Sequence, residues 1–139
     1  MTPLYTAEAT TTGNGRNGGH GRTSDGRVEV EFTEPTAVGG PEDRRTNPEQ
    51  LAALGYSACF ASALQVVARR RNVTLTEPKV TAKVTLGREG EGYGFEFEIV
   101  ADLPGVEREQ ADALVAEAHQ VCPYSRAFQN GAKTSARAA

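Results

Sequence analysis

Tryptophan is absent from the 139 residues, methionine occurs once, cysteine twice, and aromatic residues make up only 6%. Two cysteines cannot form a disulfide scaffold, and they cannot supply the four thiolates of a zinc ribbon. Positive charge is not in excess: 15 Lys and Arg face 18 Asp and Glu, for a net charge of −3. No broad cationic field is available for a phosphate backbone, so nucleic acid is not an expected partner. Long apolar runs are also missing. The nearest approach is Leu51 to Ala68, eighteen residues without a charge, at the lower edge for a membrane helix. Gly55, Tyr56, Ser57, Ser62 and Gln65 interrupt it and alanines dilute it. The expectation is a buried central helix and no membrane partner. The N-terminal residues show no cationic segment, apolar segment or cleavage site of a secretory signal, so a cytoplasmic setting with reduced thiols is expected. What remains, 38% hydrophobic and 24% charged residues, reads as one globular domain over 1–139.

No repeat or linker divides the chain. Leu4 to Thr12 is rich in Thr and Tyr, as a strand would be. Five glycines within Gly13 to Gly21 argue against regular structure there. Asp25-Gly26 signals a turn, and Val28, Val30 and Phe32 alternate with polar residues. Asn47-Pro48-Glu49-Gln50 opens a helix, with Asn47 as N-cap, Pro48 at the first helical position and Gln50 completing a capping-box pattern. That helix is expected to run to about Arg71, where Arg69, Arg70 and Arg71 complement the dipole. Lys79 to Leu86 and Tyr93 to Val100 alternate around a Gly-rich turn and predict a half-exposed antiparallel hairpin. A second helix is expected from about Glu107 to Val121, stopped by Pro123, and a short last strand from about Ala132 to Arg137. The fold class is α+β, antiparallel sheet around a central helix.

Cys59 falls in the middle of the charge-free helix and Cys122 at the end of the second. Both thiols could be buried structural residues, since cysteine is among the most buried types. Cys122 sits at the helix end that disfavours a thiolate. Burial alone would raise the pKa of Cys59, so reactivity there needs a cation brought from elsewhere. A guanidinium suits that task; Arg16, Arg22, Arg44, Arg45 and Arg69 to Arg71 are the candidates, and periodicity does not choose among them. A buried Arg would in turn need a carboxylate. His119-x-x-Cys122 has helical ligand spacing, and Cys59 with His20 would complete a Cys2His2 metal set. A solvated or capping histidine explains each His more simply, and no metal is expected.

Three segments carry a resemblance. Thr46-Asn47-Pro48-Glu49-Gln50-Leu51 through Gly55-Tyr56-Ser57-Ala58-Cys59-Phe60, Val121-Cys122-Pro123-Tyr124-Ser125, and Gly15-Arg16-Asn17-Gly18 to Ser24-Asp25-Gly26 resemble the organic hydroperoxide resistance (Ohr) branch of the OsmC family. The resemblance implies an intertwined homodimer whose sheets wrap central helices, and a thiol peroxidase that reduces organic hydroperoxides. Cys59 then matches the peroxidatic cysteine, Cys122 the resolving cysteine, Arg16 the catalytic arginine and Glu49 its carboxylate partner. No bound cofactor is implied. The reductant would be an external dithiol, dihydrolipoamide or a lipoylated carrier protein. Tyr56, Phe60, Tyr124 and Phe128 are candidates for an apolar pocket, or for ordinary core packing. Two segments depart from the family pattern: the charged Pro41-Glu42-Asp43-Arg44-Arg45, and the sequence after Ser125. An osmotically induced OsmC-type peroxidase, a non-catalytic ligand-binding module and a redox sensor are the alternatives.

Overall fold

The computed structural model describes all 139 residues, which pack as two compact units, Met1–Leu51 and Ala52–Ala139. The first holds three short antiparallel strands in the order β1 (Ala9–Thr12), β2 (His20–Thr23), β3 (Glu29–Glu31), followed by a 3-10 turn at Thr36–Val38. The expected first strand is shorter than its composition promised. β2 is four residues long, so the ladder closes at Ala9 paired with Thr23, the Glu8 carbonyl accepts one further bond from the Ser24 amide, and residues 1–8 lie exposed. The glycine-rich stretch is more ordered than its composition predicts, because β2 starts inside it at His20.

Backbone bonds around Phe32 stitch this unit together. The Phe32 amide donates to the Gly19 carbonyl at 2.8 Å, and its own carbonyl accepts from Gly18 at 3.2 Å. On the other side Thr46 donates to Glu31 and accepts from Thr33, a parallel bridge that pulls residue 46 alongside β3. The start of the long helix is thereby set beside the glycine loop.

That helix, α1 (Pro48–Arg70), opens as expected. Asn47 Oδ1 accepts the Gln50 amide at 2.9 Å, satisfying one of the orphan donors of the first turn. The Gln50 side chain does not close the box on Asn47; its Oε1 accepts the Thr46 hydroxyl instead. The helix ends where Asn72 adopts a left-handed φ of 56° and the Val73 amide returns to the Ala68 carbonyl, a C-cap that Asn tolerates.

In the second unit α1 supplies one wall of the core through Tyr56, Phe60, Ala63, Leu64, Val67 and Ala68. The spacing of three and four residues puts them on one face, and a fully buried Phe60 or Leu64 contributes roughly 2 kcal/mol each by apolar burial. The hairpin of β4 (Lys79–Glu89) and β5 (Gly92–Asp102) turns at Gly90-Glu91. Its register pairs Val80 with Ala101, Ala82 with Ile99, Val84 with Phe97 and Leu86 with Phe95, so one face is apolar, while Lys83 and Glu98 form an ion pair on the other. Helix α2 (Arg108–Val121) buries Leu114 and Ala118 against the same core.

Two expectations are corrected here. No strand forms over 132–137; residues 131–139 are exposed and lack regular structure, since Lys133, Thr134, Ser135 and Arg137 offer no alternating apolar face to bury. In its place a third helix, α3 (Pro123–Asn130), follows α2 directly. Pro123 ends one helix and occupies the first position of the next. The charge-free helix is also not buried on every side. Leu54, Ala58 and Ser62, four residues apart, form an exposed stripe opposite the core face. By length and composition α1 could cross a membrane, yet its buried face is built into this core.

Candidate active site

The residues singled out in the sequence come together as two pairs, one in each unit. In the first, Arg16 and Glu49 meet fork to fork: Nη2 donates to Oε1 at 2.7 Å and Nη1 to Oε2 at 3.1 Å. The glycine loop makes this possible. Gly19 donates to the Gly15 carbonyl at 2.9 Å, closing a tight turn around Arg16, and a Cβ on Gly19 would collide with that carbonyl. Glu49 is placed by the first turn of α1, where negative charge is also favoured by the helix dipole. The side chains are 33% and 11% exposed.

Each group holds the other charged. The hydrogen bond to Glu49 raises the Arg16 pKa most, burial opposes it, and the Glu49 and Glu34 charges add to the rise. Burial pushes Glu49 up, but the bond from Arg16, a backbone bond and the Arg16 charge together hold it below its ordinary value. Bidentate pairing of this kind is the strong form of ion pair. Three of the other candidate cations pair at the surface: Arg45 with Asp43 at 2.6 Å, Arg71 with Glu117 at 2.6 Å and Arg22 with Glu29 at 3.9 Å.

In the second unit the two cysteines, 63 residues apart in the chain, lie with Sγ atoms 3.7 Å apart. Both are free thiols; Cys59 is half-buried and Cys122 fully buried. Cys59 projects from the middle of α1, and Cys122 is at once the C-cap of α2 and the N-cap of α3. Burial pushes the Cys59 thiol above its ordinary value. The Tyr124 backbone N–H, which donates to its sulfur, pulls the other way, and the adjacent Cys122 thiol adds to the rise. That amide belongs to the first turn of α3, where the dipole favours a thiolate.

The four pocket candidates separate by burial. Tyr56 and Phe60 are core residues, whereas Tyr124 and Phe128 are 37% and 42% exposed. The Tyr124 ring stacks on Tyr56 at 5.8 Å, and Phe128 stacks on Phe97 at 3.8 Å. Exposed aromatic surface therefore lies around the amide that faces Cys59. His20 bonds Glu29 at 2.9 Å and His119 bonds Ser125 at 2.9 Å, so neither is directed at the cysteines. Ser125, fully buried, also meets the Tyr56 hydroxyl at 2.9 Å. Sequence reasoning weighed His119 only as a metal ligand and set it aside as a solvated or capping histidine, and it did not single out Ser125 or the Tyr124 amide. The available signal was Pro123, which marks a helix start as well as a stop.

The family model for OsmC-like proteins matches residues 40–137. The organic hydroperoxide resistance protein of Xanthomonas axonopodis pv. citri (strain 306) is 41% identical over 125 residues, 89% of this chain and 87% of its own. The organic hydroperoxide resistance protein OhrA of Bacillus subtilis (strain 168) is 41% identical over 128 residues, 90% of this chain and 89% of its own. A crystal structure of an organic hydroperoxide resistance protein from Elizabethkingia anophelis superposes with a TM-score of 0.87 at 47% identity. That match covers 94% of this chain and 92% of the other. With its fold, its paired thiols and these relatives, the chain belongs to the OsmC-like family and, within it, to the organic hydroperoxide resistance branch.

Proposed function

We propose that the chain is a single-domain, cytoplasmic thiol peroxidase that reduces organic hydroperoxides to alcohols. The observation that carries this reading is the 3.7 Å approach of two free thiols, one half-buried and one sealed, in surroundings that include exposed aromatic rings. The names of the relatives support the same substrate class.

The Cys59 thiolate attacks one peroxide oxygen, the O–O bond breaks, and the departing alkoxide takes a proton to leave as alcohol. Cys59 is left as a sulfenic acid. The Cys122 sulfur then attacks Cys59, the S–O bond breaks, and the Cys122 proton leaves with the hydroxyl as water. An external dithiol reopens the disulfide by exchange; a dihydrolipoyl group is the proposed donor. Arg16, held charged by Glu49, is the proposed cation for the Cys59 thiolate, offsetting the penalty of burial. The working assembly is a homodimer, in keeping with the apolar residues that the single chain leaves uncovered.

The test is single-turnover reaction of the reduced protein with cumene hydroperoxide and with hydrogen peroxide, counting free thiols. Two thiols per chain should be lost quickly with the organic peroxide and far more slowly with hydrogen peroxide. Cys59→Ser should abolish the reaction, whereas Cys122→Ser should lose one thiol and stop at sulfenic acid or over-oxidise. Arg16→Ala should slow the first step and raise the pH at which the thiolate absorbs. Normal turnover in both cysteine variants would sink the mechanism.

A further inference from the structure

Ser125 is fully buried, and its Oγ is the meeting point of three helices. It lies 2.9 Å from Tyr56 Oη on α1 and 2.9 Å from His119 Nδ1 on α2, while Ser125 itself sits in the first turn of α3. Each member stands one helical turn from a thiol-bearing residue: Tyr56 precedes Cys59 by three positions, His119 precedes Cys122 by three, and Ser125 follows Cys122 by three. Tyr56 and Cys59 at that spacing share a face of α1, while His119 and Ser125 flank Cys122 from the last turn of α2 and the first turn of α3.

The protons fix a direction. Tyr56 Oη is buried and has no hydrogen-bond partner besides Ser125. Its proton is satisfied only if it donates to Ser125 Oγ, and Ser125 then donates to His119 Nδ1 as acceptor. In that arrangement no buried side-chain donor or acceptor is left over, and none is found. A chain of this kind inside a core is stiff, because breaking either bond strands a polar group away from water.

We propose that Tyr56, Ser125 and His119 are positioning residues that hold the Cys122 sulfur against Cys59 for the disulfide-forming step. The sulfurs stand 3.7 Å apart, about 1.7 Å from bonding distance. Cys122 lies at a junction of two helices with an extended backbone, φ −64° and ψ 123°; its N–H donates to Ala118 of α2 and its carbonyl accepts from Arg126 of α3, so its place against Cys59 depends on how those two helices are held to α1. The chain through Ser125 ties both flanking helices to α1 and supplies that constraint. When it is loosened, Cys122 reaches the sulfenic acid more slowly and a second peroxide oxidises Cys59 to sulfinic acid.

This inference rests on the peroxidase reading, and one experiment separates the two. Rapid-quench mass spectrometry on wild-type protein and on His119→Leu, His119→Asn and Tyr56→Phe follows sulfenic acid, disulfide and sulfinic acid after one equivalent and after an excess of cumene hydroperoxide. In the wild type, sulfenic acid should appear and pass to disulfide; its absence there would refute the peroxidase reading itself. In His119→Leu, disulfide formation should slow by about tenfold, the equivalent of one lost buried hydrogen bond, with sulfinic acid accumulating and the first oxidation much less affected. His119→Asn carries an oxygen near the Nδ1 position and should restore resolution toward wild type. Tyr56→Phe keeps the ring and should show a smaller defect of the same kind, which keeps the test open if His119→Leu fails to fold. Wild-type resolution in both His119→Leu and Tyr56→Phe, or an Asn variant as slow as the Leu variant, would overturn the proposal.

Discussion

Arg16 and Glu49 lie 33 positions apart, and their pairing was not legible from spacing. The sequence offered many arginines and no periodicity to rank them. Only the resemblance singled out these two, and the turn at Gly15 to Gly19 is what brings the guanidinium to the first turn of α1. Their ionisation gives a stability prediction with a definite sign. Glu49 is held below its ordinary value of 4.5 in the fold, so the unfolded chain binds a proton first as pH falls. The pair's contribution is fully present above that value and disappears as the pH drops through the depressed folded pKa. Glu49→Gln should therefore cost about 1 kcal/mol at neutral pH. Once the pH falls below the depressed folded pKa the gap from wild type should close, which urea titrations at neutral pH and through the acid range would read.

Among the elements, the long helix and the hairpin were legible because their signals are local: an Asn-Pro start, a charge-free run, and period-two alternation. The last helix was missed because proline was read only as a terminator, and its neighbour in space was unknown. Gly55 records that neighbour. A Cβ there would come 2.5 Å from Tyr124 Oη and 3.2 Å from its Cζ, so α1 carries no side chain where the α3 tyrosine lies across it. Ala is the better helix former by about 1 kcal/mol, and that gain opposes the displacement of the ring. The expected signature is non-additivity: Gly55→Ala should stabilise a Tyr124→Ala background by roughly 1 kcal/mol more than it does the wild type. A double-mutant cycle by urea denaturation measures this. Additive effects would mean that Tyr124 moves aside freely.

At the scale of the whole molecule, the charge-free helix was expected to be surrounded, yet Leu54 is 67% exposed, and Phe95 and Val100 on the hairpin are also uncovered. Large apolar side chains left exposed on the long helix and the hairpin are candidates for burial on association. The protein is predicted to sediment at twice its 14.8 kDa chain mass at micromolar concentration, and Leu54→Arg should shift it toward monomer. A wild-type monomer across that range would refute the dimer. The sequence by itself determined the α+β class, the α1 and hairpin boundaries to within a few residues, and the family. These follow from backbone propensity, hydrophobic period and ordered motifs, all written in consecutive residues. The resemblance named the Arg16–Glu49 and Cys59–Cys122 pairs, but only tertiary structure decided that the first meets fork to fork, that the two sulfurs stand 3.7 Å apart, and that Ser125 joins Tyr56 to His119. Those contacts join residues from different elements, and their geometry is set by how helices and loops pack, which no local pattern encodes.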